Sequence, residues 1–181
     1  RDQNNWVCVD ICPSGYFADY FNLLCVLECP IEGDGFAKND TRECVKLCPN
    51  STYAYLHSRT CVQQCFNSTF ADDSSNTCLD VCPRNPDLYS DTGTMSCVSE
   101  CPNGTYAYAN TRECMVTCPL VDGYYRQNHT KTCVMACDYT ANTYTDNTTG
   151  YCVTECSSGT FADPATKRCV SVCPDQPLMY A

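Results

Sequence analysis

The sequence predicts a small disulfide-rich repeat array: short β-fingers in 17- or 19-residue repeats, stacked into an elongated rod or superhelix with little or no helix. Three observations predict it. Twenty of the 181 residues are cysteine, and they fall into ten pairs of identical C-x3-C spacing. An aromatic residue recurs at one fixed distance before the next pair. Leu, Ile, Val and Phe together number only 30, too few for a conventional core.

The pairs stand at 8/12, 25/29, 44/48, 61/65, 78/82, 97/101, 114/118, 133/137, 152/156 and 169/173. Successive pairs are separated by 17 or 19 residues and never by 18. Val follows eight of the first cysteines, with Leu79 and Met115 as the apolar exceptions, and Pro follows seven of the second. Eight positions before each following pair comes Phe17, Phe36, Tyr53, Phe70, Tyr89, Tyr106, Tyr125, Tyr144 or Phe161. The two extra residues of a long repeat therefore fall between the second cysteine and this aromatic. Strand side chains alternate faces with period two, so an insertion of two keeps the aromatic on its face and an insertion of one would flip it. That favours an extended finger over a helix. A Thr or Ser lies three residues before each pair, with Asn22 in the first repeat, and Asp, Asn and Gly cluster upstream as a turn requires.

One unit cannot bury a core. An aromatic and one or two aliphatic side chains contribute a few kcal/mol at ~25 cal/mol per Å². Ordering the backbone costs about 1–2 kcal/mol per residue. A disulfide restores about 3 kcal/mol for a loop near 15 residues, and stacking on neighbouring repeats supplies more. With fingers about 10 Å wide, a straight array would extend on the order of 100 Å. Residues 1–181 are expected to form one continuous array. Arg1 is not an initiator, no signal peptide is present, and the register running on from Tyr180 would place another first cysteine just beyond the sequence, so the chain reads as an excerpt of a longer one.

The pairs show no odd–even alternation, which favours one connectivity throughout: the second cysteine of each pair bonded to the first of the next. The bridges would be Cys12–Cys25, Cys29–Cys44, Cys48–Cys61, Cys65–Cys78, Cys82–Cys97, Cys101–Cys114, Cys118–Cys133, Cys137–Cys152 and Cys156–Cys169. Cys8 and Cys173 would then bond adjoining segments or other copies. A rival scheme, Cys8–Cys25 with Cys12–Cys29, would group repeats in twos. Closure within a C-x3-C strains disulfide geometry.

The runs CVSECPNGTYAYANTRECMVTCP and CVDICPSGYFADY resemble the furin-like, or growth-factor-receptor, cysteine-rich repeat, especially its long tandem versions in ciliate surface and secreted proteins. The resemblance spans essentially the whole chain and implies single-bridge fingers closed in the favoured way. Phe66, Asp138 and Ser157 depart from the pattern in place of Pro, and Pro86-Asp87 disturbs a turn. The resemblance implies fold and compartment, and hardly any activity, since such repeats serve as spacers, coats and stalks.

So many thiols place the chain outside the cytosol, in the secretory pathway or at the cell surface. A formal charge of −10 argues against nucleic acid as a partner. No apolar run approaches the roughly 20 residues that span a membrane. The C-x3-C spacing is permitted for zinc, but reduced thiols in ten evenly strung pairs fit poorly, and a thioredoxin-like C-x-x-C is missing. His57 and His129 read as solvated turn residues, and Asp72-Asp73 as an exposed turn rather than a calcium site. Phosphate-loop and metalloprotease motifs are lacking, so no enzyme and no cofactor are expected. Six N-x-S/T acceptors occur in two registers: Asn50, Asn67 and Asn103 two residues after a second cysteine, in short repeats, and Asn39, Asn128 and Asn147 three residues after the aromatic, in long ones. A seventh match, Asn76, is weaker. Covalent N-glycans are expected at the six.

The expected function is structural: an extracellular glycoprotein whose repeated faces bind copies of itself into a filament or surface coat. A receptor or adhesion ectodomain is the alternative. Its site would be a non-repeated feature such as Trp6 or Pro86-Asp87-Leu88.

Overall fold

A computed structural model describes residues 8–31, 35–138 and 140–174. Trp6 and Tyr180 lie outside them. The chain forms two compact units, residues 1–84 with 92–97, and residues 85–91 with 98–181. Apart from one 3-10 turn at Leu120–Asp122, all regular structure among the described residues is three-residue strands.

In the first unit the strands are β1 (Phe17–Asp19), β2 (Leu24–Val26), β3 (Phe36–Lys38), β4 (Glu43–Val45), β5 (Tyr53–Tyr55), β6 (Thr60–Val62), β7 (Phe70–Asp72) and β8 (Thr77–Leu79), joined at one end by the first two residues of β10 (Ser96–Val98). Each odd strand pairs antiparallel with the next even one, for example Phe17 opposite Val26, Ala18 opposite Cys25 and Asp19 opposite Leu24. Hairpins then join side by side: β1 pairs parallel with β4, β3 with β6, β5 with β8 and β7 with β10. The second unit repeats the plan with β9 (Tyr89–Asp91), β11 (Tyr106–Tyr108), β12 (Glu113–Met115), β13 (Tyr125–Gln127), β14 (Thr132–Val134), β15 (Tyr144–Asp146), β16 (Tyr151–Val153), β17 (Phe161–Asp163) and β18 (Arg168–Val170). Its parallel joints are β9–β12, β11–β14, β13–β16 and β15–β18. The expected class, tandem disulfide-closed β-fingers with very little helix, is the observed one.

The period-two logic accounts for the residue types. Ala37, Ala54, Ala71 and Ala107, the middle residues of β3, β5, β7 and β11, stand opposite first cysteines and are buried. A small side chain suits them because a disulfide shares that face. The flanking strand positions carry the aromatic and its cross-strand Val, Leu or Met. Neighbouring hairpins share their small cores: Phe36 packs with Val45, Cys48, Ala54 and Cys61, and Tyr55 with Cys65, Ala71 and Cys78. In the second unit Tyr106 and Tyr108 pack with Cys118 and Cys133.

Repeat length is absorbed before the first strand. Short repeats use a four-residue turn, with Thr52 N–H donating to Pro49 O at 3.0 Å and Thr105 N–H to Pro102 O at 3.0 Å. One long repeat instead makes the 3-10 turn, ending on Gly123, whose φ of +80° is glycine's natural ground.

Candidate functional site

The repeat unit itself, bridge, joint and turns, is the candidate site. Five disulfides staple the first unit (Cys12–Cys25, Cys29–Cys44, Cys48–Cys61, Cys65–Cys78, Cys82–Cys97) and four the second (Cys101–Cys114, Cys118–Cys133, Cys137–Cys152, Cys156–Cys169). Their Cα–Cα distances are 5.5–5.6 Å, the ordinary span of an unforced bridge. Cys8 is exposed and Cys173 half-buried, both as free thiols.

Each joint rests on a residue that the sequence reading passed over, two places before the first cysteine. Leu23, Arg42, Arg59, Asn76, Met95, Arg112, Lys131 and Lys167 all hold φ between +50° and +61°, and Gly150 holds +72°. For an ordinary L-residue this left-handed conformation costs about 1–2 kcal/mol. The return is a turned-out carbonyl that accepts the middle N–H of the preceding hairpin's first strand. The bonds are Ala18 to Arg42, Ala37 to Arg59, Ala54 to Asn76 and Ala71 to Met95 in the first unit. In the second they are Ser90 to Arg112, Ala107 to Lys131, Arg126 to Gly150 and Thr145 to Lys167, and all eight span 2.7–3.0 Å.

Where this residue is basic, its side chain reaches back over the preceding hairpin. Arg42 donates to Cys12 O at 3.1 Å. Arg59 donates to Gly35 O at 2.7 Å and lies over the Phe36 ring, 5.3 Å from its centroid. Arg112 covers Tyr89 while bonding Asp87 and the Leu88 carbonyl. Lys131 pairs with Glu100 at 2.9 Å, and Lys167 bonds Asn142 over the Tyr144 ring. In Arg59, Arg112 and Lys167 hydrogen bond and cation–π contact act together.

Gly150 has no side chain to reach back, and there the polarity reverses. Arg126 occupies the strand position that is Ala in most repeats, reaches forward over Tyr151 at 3.7 Å, and donates to Thr149 O at 2.6 Å. Arg126→Ala should therefore cost about 1 kcal/mol. A Cβ on Gly150 would meet Leu120 Cδ1 at 3.1 Å and Arg126 Nη2 at 3.3 Å. Gly150→Arg alone should destabilise, and the double variant should recover stability. A thermal double-mutant cycle reads the coupling, and additive losses would deny the reversed clamp.

In four repeats the tip turn explains the Thr, Ser or Asn three places before the pair. Asp19, Asp72, Asp146 and Asp163, each closing a first strand, are buried to 3 % exposure or less. Asp72 accepts the Ser74 N–H and the Ser75 hydroxyl, the latter at 2.6 Å. Asp146 accepts the Thr148 N–H at 2.9 Å and the Thr149 hydroxyl at 3.0 Å. Asp163 is held likewise by Ala165 and Thr166, and Asp19 by Phe21 and Asn22. The expectation that Asp72 lies on an exposed turn is corrected: the carboxylate is drawn inside as the turn's acceptor, and only Asp73 is exposed.

Burial pushes the Asp72 and Asp146 carboxyls up, but the donors from the following residues outweigh it and hold both below the ordinary value. The Thr166 hydroxyl and the Ala165 N–H lower Asp163 in the same way. A carboxylate with a depressed folded pKa stabilises above its unfolded value, near 4, and loses that contribution as pH falls through the folded one. Thermal stability should be flat from pH 7 to about pH 5 and fall below pH 4. Asp72→Asn should flatten part of that fall. A chain equally stable at pH 2 and pH 7 would contradict it.

All six candidate glycan acceptors are exposed: Asn39, Asn50 and Asn67 in the first unit, Asn103, Asn128 and Asn147 in the second. Tyr106 donates its hydroxyl to Asn128 Oδ1 at 2.7 Å, and Tyr125 likewise to Asn147 Oδ1. His57 stacks on Tyr55, and His129 approaches Asp138 at 3.6 Å, both exposed. Among the described residues no three His, Cys, Asp or Glu side chains converge as a metal site, and no helix is long and apolar enough to cross a membrane. Pro86-Asp87-Leu88 follows a cis Asn85–Pro86 bond and is engaged by Arg112.

Fold and site together define a cysteine-rich repeat of disulfide-bonded strand pairs. Comparison with protein-family models, curated proteins and solved structures gave no match to the chain. Nine disulfides suit an oxidising environment, extracellular or secreted.

Proposed function

We propose that the chain is a structural extracellular glycoprotein of the furin-like cysteine-rich type, in which copies associate through repeated faces to build a filament or cell-surface coat. It works without catalysis or cofactor. Cys8 and Cys173 bond adjoining segments or other copies, and N-glycans on the six acceptors cover the turns.

One observation carries the reading: an exposed apolar residue recurs inside the C-x3-C segments. Ile11, Leu27, Leu47 and Val81 in the first unit, and Val116, Met135 and Val172 in the second, are 63–80 % exposed. Ile11, Leu47, Val81 and Val172 stand just before the second cysteine, and Leu27, Val116 and Met135 one place earlier. The segments 61–65, 97–101 and 152–156 have no counterpart, so apolar surface recurs along the array without one strict register. Recurrent exposed apolar side chains of this kind are what homotypic association uses. The Pro86–Leu88 stretch, which a receptor reading would nominate, is instead occupied by Arg112.

Negative-stain electron microscopy of native secreted material should show polymers or a dense layer. Leu47→Glu with Val116→Glu should disperse them and leave the β-sheet circular dichroism unchanged. A dispersed wild-type monomer that captures one soluble ligand at a defined site would sink the proposal and favour the ectodomain.

A further inference from the structure

The six acceptors differ in one respect that residue type does not reveal. In the three short repeats the sequon's own threonine closes the turn before the first strand. Thr52 donates both its N–H and its hydroxyl to Pro49 O, at 3.0 and 2.6 Å. Thr69 does the same to Phe66 O, at 3.2 and 2.6 Å, and Thr105 to Pro102 O, at 3.0 and 2.8 Å. Thr69 is 2 % exposed, and Thr52 and Thr105 are half-buried. At Asn67 even the acceptor nitrogen is engaged, donating to the Tyr55 hydroxyl at 3.2 Å. The turns adjoin Cys48, Cys65 and Cys101, whose bridges close the hairpins.

The long-repeat sequons sit at hairpin tips. Thr41, Thr130 and Thr149 are exposed, as are their asparagines. Thr149 donates its hydroxyl to Asp146 Oδ2 at 3.0 Å, and Thr130 Oγ1 accepts from Gln127 Nε2 at 3.0 Å, bonds to side chains rather than to the backbone. At Asn128 and Asn147 the tyrosine hydroxyl binds the side-chain oxygen, so Nδ2 is the atom left to react.

N-glycosylation needs the amide nitrogen and the hydroxyl at +2 presented together. The Asn Nδ2 attacks the anomeric carbon of a lipid-pyrophosphate-linked oligosaccharide. An N–C bond forms, the C–O bond to pyrophosphate breaks, Nδ2 loses a proton and the lipid pyrophosphate leaves. A hydroxyl bound to a backbone carbonyl in the base turn, on a threonine that is itself buried or half-buried, is withheld until that turn opens. An exposed threonine can exchange a side-chain partner without unfolding. Modification at the base is then limited by local unfolding.

We infer that disulfide closure sorts the acceptors into two classes: Asn39, Asn128 and Asn147 remain acceptors in the folded chain, whereas Asn50, Asn67 and Asn103 accept glycan only before their hairpins are stapled. The inference deepens the glycoprotein reading and rests on it. Occupancy of the second class is then set by a race between glycan transfer and oxidation.

The test uses the full 181-residue chain refolded and oxidised without glycan, a purified oligosaccharyltransferase and a lipid-linked oligosaccharide, with sites quantified by peptide mass spectrometry. In the oxidised chain the tip sites should be modified at least about tenfold faster than the base sites, the factor set by the cost of local opening. After reduction the six rates should converge. Base sites as fast as tip sites in the oxidised chain would overturn the inference. A reduced chain that accepts glycan nowhere would overturn the glycoprotein reading beneath it.

Discussion

Full reduction of the chain under native conditions is expected to abolish its β-sheet circular dichroism and its slow-exchanging amides. The strands are three residues long, and the buried clusters hold four or fewer fully buried side chains each. Each bridge closes a sequence separation of 13 or 15 residues and contributes about 3 kcal/mol by restricting the unfolded chain. Together the nine outweigh the whole stability of an ordinary domain, about 5–15 kcal/mol. Removing one pair by Cys101→Ser with Cys114→Ser should cost about 3 kcal/mol. That loss should be local, opening residues 101–114 and the β9–β12 and β11–β14 joints first. Hydrogen exchange reads the pattern. A reduced chain that keeps native protection would show that packing alone holds the fold.

The second large effect is expected at Tyr106. It is 8 % exposed, packs with Tyr108, Cys118, Cys133, Met115 and Tyr151, and donates its hydroxyl to Asn128. Truncation to alanine removes one of the two buried tyrosine rings of that cluster, which cannot collapse around stapled neighbours. A loss of about 3–5 kcal/mol is expected, as for other buried aromatics. Tyr106→Phe keeps the ring and loses one hydrogen bond, about 1 kcal/mol. It should also speed exchange in the Asn128–Lys131 turn. Denaturant midpoints at unchanged slope measure both. Equal losses in the two variants would place the stabilisation in the hydroxyl rather than the ring.

Legibility in the sequence followed the physics of each feature. The fingers could be read because period two acts within a few residues: the aromatic at −8, the insertion of two and the apolar residue after each first cysteine are all local. The joints could not. A parallel contact between one hairpin's first strand and the next hairpin's second strand involves strands too short to carry a partner-specific pattern. Its key residue sits in a conformation normally signalled by Gly or Asn. Arg42, Arg59, Arg112, Lys131 and Lys167 hide the signal, because their clamps on the preceding hairpin offset the strain. The recurrent Arg or Lys after the Thr or Ser, as in TREC and TKRC, was the available clue. The buried Asp acceptors were missed for a related reason. A carboxylate three places before a Thr reads as a solvated turn until the strand end is seen to turn it inward. The difference between sequon classes is invisible in the motif itself, since Asn-x-Thr is the same at a tip and at a base.

The central claim, that every hairpin is closed by its own single bridge, is tested most directly by mapping disulfides in the native, unreduced chain by peptide mass spectrometry. The account predicts only links of the type Cys12–Cys25 through Cys156–Cys169, with Cys8 and Cys173 outside the nine. A Cys8–Cys25 or Cys12–Cys29 link would contradict it.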